Sequence, residues 1–187
     1  MMKRKTKFRE WLIVAMHSEE IKDLKLEEMS RPVMVAGKQT PENLNEMTVG
    51  QMYELSKLKD GKVMFHKVCG VLLGLTEKQV DNAPAVEVVR FVGWAMGQIK
   101  WINDLFDRAK LTPTPQERKA GIEKLNFGVF GMVDWYAKRM GITDHDEVLG
   151  LSWLRLYRCL DMDNKTTMFN RKLTKVYESE SKSKHRG

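Results

Sequence analysis

Apolar residues recur at helical spacing along most of the 187-residue chain. The clearest case is residues 85–109, where apolar positions three and four apart predict one long amphipathic helix. Residues 7–16 and 62–73 show the same period over shorter stretches. This pattern predicts an all-α protein, a multi-helix bundle of amphipathic helices.

Residues that begin and end helices punctuate the same pattern. Thr48 is placed to cap a helix over 49–58, and Thr76 with Gln79 matches a capping box. Ser152 is placed to cap a helix that starts at Trp153 and breaks near residues 163–164, where Asp and Asn favour turns. A last helix is predicted over 165–178.

Two segments depart from the helical pattern. Residues 31–38 combine a Pro, β-branched residues and a Gly, which predicts a short extended or hairpin segment. Residues 179–187 contain no apolar side chain, which predicts a disordered C-terminal tail.

These breaks predict four regions. Residues 1–45 hold a basic arm, a short helix and the extended segment. Residues 46–110 form a helical subdomain, and 111–178 form a second one after the Pro-rich hinge at 111–115 (LTPTP). Residues 179–187 are the predicted tail.

Composition narrows the class of protein. Hydrophobic residues make up 42% of the chain and the net charge is +7, so the chain can build a core and carries a basic surface. No apolar run reaches the ~18 residues of a membrane span, which predicts no contact with a membrane.

The two cysteines, Cys69 and Cys159, lie in apolar runs, and the six-residue run at 11–16 is short for an export signal. We therefore expect a reduced, cytoplasmic protein.

Two sequence patterns resemble metal-binding motifs, but neither one predicts a metal site. The acidic residues and His at 143–147 fit the first turn of a helix, where carboxylates complement the helix dipole. Residues 161–164 resemble the start of a calcium loop, but Thr166 and Lys172 stand where that loop needs Gly and Glu. We predict no catalytic residue, no metal and no cofactor, and hence no enzymatic activity.

A stripe of large residues runs along the predicted long helix. Glu87, Trp94, Trp101 and Arg108 are seven apart and so share one side of it, opposite most of its apolar face. Two Trp on such a face suggest a surface that packs against another protein. The alternative is that another helix of the same chain covers it. The 13 Met residues suit an adaptable apolar surface.

Basic residues cluster towards the C-terminus and support a second hypothesis, a basic helical DNA-binding protein with a packaging or regulatory role. Its contacts to phosphates would come from the face over 155–175. The candidate nucleic-acid contacts are Arg155, Arg158, Lys165, Arg171, Lys172 and Lys175.

One motif occurs twice. Residues 44–52 (LNEMTVGQM) and 122–130 (IEKLNFGVF) share the order apolar, two polar, apolar, cap residue, apolar, Gly, any residue, apolar. This order is typical of a helix entry with apolar residues on both sides of the cap. Chance and duplication of a helical unit both remain open.

The same residues carry a resemblance to a known family. Residues 47–55 (MTVGQMYEL), 71–80 (VLLGLTEKQV) and 83–85 (APA) resemble the tail assembly chaperones of long-tailed bacteriophages. Residues 125–128 (LNFG) and 148–153 (VLGLSW) are similar to the second part of such proteins in phages and prophages of Bacteroides-like hosts. The resemblance spans about residues 44–175.

The resemblance implies a non-enzymatic protein in the cytoplasm of the bacterial host. Its members coat the aggregation-prone tape-measure protein until tail-tube subunits polymerise around it, and a frameshifted longer form often recruits the tube protein. The expected partners are therefore the tape-measure protein and the tail-tube protein, with self-association left open and a structural virion protein as a further alternative. The residues predicted to bind a partner are Trp94, Met96, Trp101, Phe106, Trp135 and Trp153.

Overall fold

A computed structural model describes residues 6–15, 29–58 and 62–184 of the chain. The chain divides into two compact units, Met1–Asn103 and Asp104–Gly187, called unit 1 and unit 2 below. The described part is mostly helical and contains one two-stranded sheet, which confirms the all-α class. The predicted boundaries at 45/46 and 110/111 stay predictions, and residues 1–5 of the predicted basic arm lie outside the described residues.

The described part of unit 1 holds five helices and the sheet. In chain order these elements are α1 (Phe8–Ala15), β1 (Met34–Val35), β2 (Lys38–Gln39), α2 (Val49–Ser56), α3 (Lys62–Leu73), α4 (Glu77–Asn82) and α5 (Ala85–Ala109), the last of which continues into unit 2.

Helix α5 supplies much of the core of unit 1. Its apolar face, from Ala85 to Ile102, is buried at nine positions, as the helical spacing predicted. Phe8 from α1 is fully buried, and its ring lies 5.3 Å from that of Phe65 on α3. The chain before α1 also pairs with the start of α5, since Phe8 N donates to Ala83 O at 2.8 Å and Ala85 N donates to Thr6 O at 2.8 Å.

The predicted caps explain where α2 and α4 begin. The Thr48 hydroxyl accepts from Gln51 N at 3.1 Å, and the Gln51 side chain accepts from Thr48 N at 2.9 Å. Thr76 and Gln79 form the same reciprocal pair at α4, which confirms the predicted capping box. The Gln51 amide also donates to Val71 O at 2.8 Å, so this cap ties α2 to α3.

The extended segment is a hairpin. Strands β1 and β2 are antiparallel, with Met34 opposite Gln39 and Val35 opposite Lys38. The two loop residues, Ala36 and Gly37, have φ of +49° and +80°. Two positive φ values in a two-residue loop define the turn that matches the twist of paired strands. The hairpin predicted near 31–38 is therefore confirmed.

Over residues 104–184, unit 2 holds the end of α5 and four further helices. These are α6 (Pro115–Lys119), α7 (Gly128–Met140), α8 (His145–Gly150) and α9 (Trp153–Lys184), with a 3-10 turn at Ile122–Lys124. Its buried residues include Val133 and Tyr136 of α7, Val148 of α8, and Trp153 and Leu156 of α9. Helix α9 starts where predicted, with Leu154 N donating to the Ser152 hydroxyl at 3.2 Å.

The predicted break near residues 163–164 is wrong, because α9 is continuous. Asp and Asn disrupt helices when their side chains compete for nearby backbone groups. Here both side chains bond elsewhere in unit 2: Asp163 accepts from Arg139, and the Asn164 amide donates to Ala109 O at 2.8 Å.

The predicted disordered tail at 179–187 is also wrong, because α9 extends through Lys184. Polar residues do not end a helix by themselves, and Glu and Lys are good helix formers. Glu178 and Lys182 have the four-residue spacing that supports a solvated helix. Residues 185–187 lie outside the described residues.

Removing the cap of α2 should test how much its start depends on Thr48. We expect Thr48→Ala to lower the free energy of unfolding by about 1 kcal/mol, because the Gln51 N–H loses its acceptor. Thr48→Ser keeps the hydroxyl and should retain most of the stability. Urea unfolding monitored by circular dichroism measures both. Equal losses in the two variants would show that the Thr48 methyl group, and not the cap, matters.

Candidate functional site

Three of the predicted partner-binding residues lie in unit 1. On α5, Trp94 and Met96 are half-buried, while Trp101 is exposed. The start of this stripe is covered by residues that precede α2. Ala36 N donates to the Glu87 carboxylate at 3.3 Å, and the Arg90 guanidinium donates to Ser30 O at 3.2 Å. The stripe is therefore covered at its N-terminal end and exposes a large side chain at Trp101.

The other three predicted residues lie in unit 2. Phe106 and Trp135 are half-buried, and Trp153 is fully buried. The Trp153 ring lies 6.1 Å from both the Phe106 ring and the Tyr157 ring. Trp153 is thus a core residue that offers no surface to a partner in this structure. Partner binding by the remaining residues stays a prediction.

The repeated motif has opposite burial in its two copies. In the first copy, Met47, Val49 and Met52 expose 9% or less of their surface. The equivalent residues of the second copy expose between 62% and 68%, and they are Leu125, Phe127 and Phe130. We call these three side chains the α7 entry patch. Sequence reasoning found the motif but missed the patch, because the pattern is the same whether or not other helices cover it.

Local geometry holds the α7 entry patch outward. Asn126 accepts from Gly128 N at 3.0 Å, which fixes the turn that leads into α7. A Cβ on Gly131 would lie 2.6 Å from the Phe127 Cβ, so only glycine lets the Phe127 side chain pack across the first turn. The Phe130 ring meets the His145 ring edge-on at 5.3 Å. Contacts within unit 2 therefore position the side chains of this patch.

The predicted nucleic-acid contacts do not all lie together. Along α9, Arg158, Lys165 and Lys172 are seven apart and follow one side of the helix, since about 3.6 residues make a turn. Arg155 and Lys175 are also exposed, and each is turned about 60° from this row, on opposite sides of it, because each lies three residues beyond one of its ends.

Arg171 faces the body of unit 2. Its guanidinium donates to Thr112 O at 2.9 Å and to the Glu117 carboxylate at 2.8 Å. The Thr114 backbone N–H, followed by the Thr114 hydroxyl and Arg171, holds the pKa of Glu117 below its usual value. Arg171 therefore holds α9 to α6 and to the segment before it, and does not belong to an exposed basic face.

The residues that could support catalysis or a metal are few. Cys69 is fully buried, and burial raises the pKa of its thiol to about 12, which keeps it protonated. Within residues 6–15, 29–58 and 62–184, no three His, Cys, Asp or Glu side chains are grouped to hold a metal ion. Over the same residues, no helix combines the length and the apolar character needed to cross a membrane.

Comparison with known proteins adds no relative: no family model matches the chain, and no curated protein or solved structure matches it significantly. The function is therefore inferred from the surfaces described above and from the resemblance of the sequence motifs.

An ion pair between α7 and α9 helps to set the position of α9. Arg139 donates through Nε and Nη2 to the two carboxylate oxygens of Asp163, both at 2.9 Å. These bonds hold the pKa of Asp163 below its usual value, although partial burial opposes the shift. The same pairing raises the pKa of Arg139.

Replacing Asp163 with Asn should show, through its pH dependence, how much the Arg139–Asp163 ion pair contributes to stability. A carboxyl whose pKa is lowered by folding adds stability above its unfolded pKa of about 3.9, and this stability is lost as the pH falls through the folded pKa. We expect Asp163→Asn to lower the thermal unfolding midpoint near pH 7, and the difference from wild type to shrink as the solution is acidified.

Thermal unfolding followed between about pH 7 and pH 3 measures this difference. Glu180→Gln, on the exposed end of α9, is the control and should change the midpoint little at any pH. A difference for Asp163→Asn that stays constant down to acid pH would show that the carboxylate charge is not what stabilises the contact.

Proposed function

We propose that the chain is a non-enzymatic helical binding protein that serves as a phage tail assembly chaperone. In this role it covers apolar stripes on the tape-measure protein and keeps that protein soluble in the host cytoplasm until the tail tube forms around it. The resemblance of residues 44–175 to this family supports the assignment.

The α7 entry patch is the observation that carries the proposal. Three large apolar side chains exposed within residues 125–130 are unfavourable in water unless something covers them. In the first copy of the motif, the equivalent residues are buried inside unit 1. The second copy thus has the apolar residues of a buried helix start, but no other segment of the described part of unit 2 buries them. Such residues are suited to bind an apolar surface of a partner.

A chaperone of this kind needs only modest affinity at each contact. An amphipathic helix binds a groove or patch through apolar side chains three and four residues apart. Many copies bound along one long partner add up to a strong association by avidity. Exposed Trp101 on α5 is a second candidate contact, in agreement with the Trp stripe predicted from the sequence.

The nucleic-acid alternative has less support from the arrangement of charges. Arg171 is held by Glu117, and Lys165 lies 2.7 Å from the Asp161 carboxylate of the same helix. Two of the six predicted phosphate contacts thus already have acidic partners within the chain. The remaining basic side chains still allow salt-sensitive binding, which the following experiment would detect.

Co-expression with the candidate tape-measure protein, chosen as the longest coiled-coil protein encoded just downstream, tests the proposal. We expect that protein to become soluble and to co-purify with the chain in about 1 M salt, where charge attractions are screened but apolar contacts persist. Leu125→Ser combined with Phe130→Ser should reduce the co-purified partner by at least about tenfold, as for the central residues of an interface.

The matched control is Val33→Ser combined with Val63→Ser, which removes two exposed apolar side chains from unit 1 and should leave the yield of partner unchanged. Trp101→Ala, tested in parallel, reports whether α5 contributes. Circular dichroism must show unchanged helicity in each variant. The proposal fails if no partner is rescued, or if nucleic acid co-purifies instead and is lost as the salt is raised.

A further inference from the structure

Helix α9 carries two parallel rows of residues on its exposed side. One row is apolar: Met162, Phe169 and Val176 are seven residues apart and expose 53%, 62% and 49% of their surface. The other row is basic and is formed by Arg158, Lys165 and Lys172, which are also seven apart. Because residues seven apart lie nearly above one another on a helix, the two rows run side by side.

The opposite side of α9 is the one that packs on unit 2. Asn164 and Arg171, again seven apart, bond to Ala109 O and Thr112 O at 2.8 and 2.9 Å. A position two residues before or after Arg171 points about 160° away from it, since each residue turns the helix by about 100°. Phe169, which is exposed, and Leu173, which is half-buried, therefore face away from these anchors.

The apolar row has the spacing of a coiled-coil seam. Together with Thr166 and Leu173, the three apolar residues form the series 162, 166, 169, 173 and 176, with steps that alternate between four and three. This alternation keeps side chains facing a neighbouring helix. At 1.5 Å per residue, the seam is about 21 Å long, enough for a helix of four turns to lie along it.

The charges beside the apolar row of α9 indicate which kind of helix would bind there. Residues 164–177 contain four basic residues and no acidic one. Lys165 is paired with Asp161, whereas Arg158 and Lys172 form no ion pair within the described part of the chain. A partner helix would therefore gain from acidic residues beside its own apolar stripe.

A second copy of this chain does not supply those acidic residues. In a parallel pair the basic row would face Asp163, Asn170 and Tyr177, and Asp163 is already held by both guanidinium contacts of Arg139. In an antiparallel pair the basic row would face itself, which is repulsive. The charges thus favour a different protein over self-association.

We propose that the exposed side of α9 is a docking seam for an acidic amphipathic helix of a partner protein. The seam residues are Met162, Thr166, Phe169, Leu173 and Val176, and the flanking charges are Arg158, Lys165 and Lys172. This inference deepens the proposed function and rests on it for its biological setting, because it specifies the chemistry of the helix that the chaperone binds.

The probe is a synthetic helical peptide of about four heptads, with Leu along one stripe and Glu on both flanks. A second peptide has Lys in place of every Glu. Fluorescence anisotropy with the full-length protein should show at least about tenfold tighter binding of the Glu peptide, a difference of about 1.4 kcal/mol. Phe169→Ser should weaken this binding by at least about tenfold.

Reversing the flanking charges should reverse the preference. Arg158→Glu combined with Lys172→Glu leaves the Lys165–Asp161 pair intact and should make the Lys peptide the tighter ligand. The control is Lys124→Glu combined with Lys175→Glu, which changes the net charge equally at exposed positions outside the seam and its flanks. It should leave the preference for the Glu peptide in place.

The control Met168→Ser removes an exposed apolar side chain of the same helix, next to Phe169 but outside the seam, and should bind the Glu peptide like wild type. Any of four results overturns the inference: the Glu peptide does not bind; Met168→Ser loses binding while Phe169→Ser keeps it; Phe169→Ser abolishes self-association; or duplex DNA binds at these residues in place of the peptide.

The peptide assay and the co-expression assay can fail independently. Peptide binding without rescue of the downstream protein would keep the α9 seam and reject the chaperone role. Rescue that survives Phe169→Ser would keep the chaperone role and place its contact elsewhere.

Discussion

The need to cover one side of every amphipathic helix is the constraint on which the rest of this structure depends. In unit 1 the long helix α5 buries nine residues, and α1, the hairpin and α2–α4 supply core residues or bonds around it. Polar side chains also tie these elements together. The Lys38 ammonium, for example, donates to Leu73 O at 2.7 Å and so satisfies the end of α3.

Unit 2 meets the same constraint only in part. Trp153 and Tyr136 are buried, so a core exists, but the α7 entry patch and the α9 seam remain exposed. Single exposed apolar residues are ordinary in proteins. Here they recur in ordered positions, at a helix entry and at seven-residue intervals along α9. Order of this kind is what a binding surface requires, since side chains must face the same way to meet one partner.

The exposed surfaces and the basic charge support each other. A helical protein with uncovered apolar stripes risks self-association, and a net charge of +7 opposes it. On α9 the basic row lies directly beside the apolar row, so under the proposed docking the charges that keep copies apart would also select the partner. Arg171 is another basic residue of α9, but it pairs with Glu117 and so holds the helix to α6.

The sequence by itself determined the helical class, most helix starts and the hairpin. These depend on contacts between near neighbours: the Thr48–Gln51 box, the turn at Ala36–Gly37, and helical spacing within α5. It misjudged α9 at residues 163–164 and 179–184, where Asp163 and Asn164 find partners distant in sequence and the charged end stays helical.

Only the tertiary structure decided which apolar residues are exposed. Met47 and Leu125 occupy equivalent places in one motif, yet the first is buried and the second exposed, because burial depends on what other segments bring to that side. Trp153 and Trp101 were both predicted to bind a partner, yet the first is a core residue and the second is exposed. The period of the sequence indicates which side of a helix is apolar, but only packing determines whether other segments bury that side.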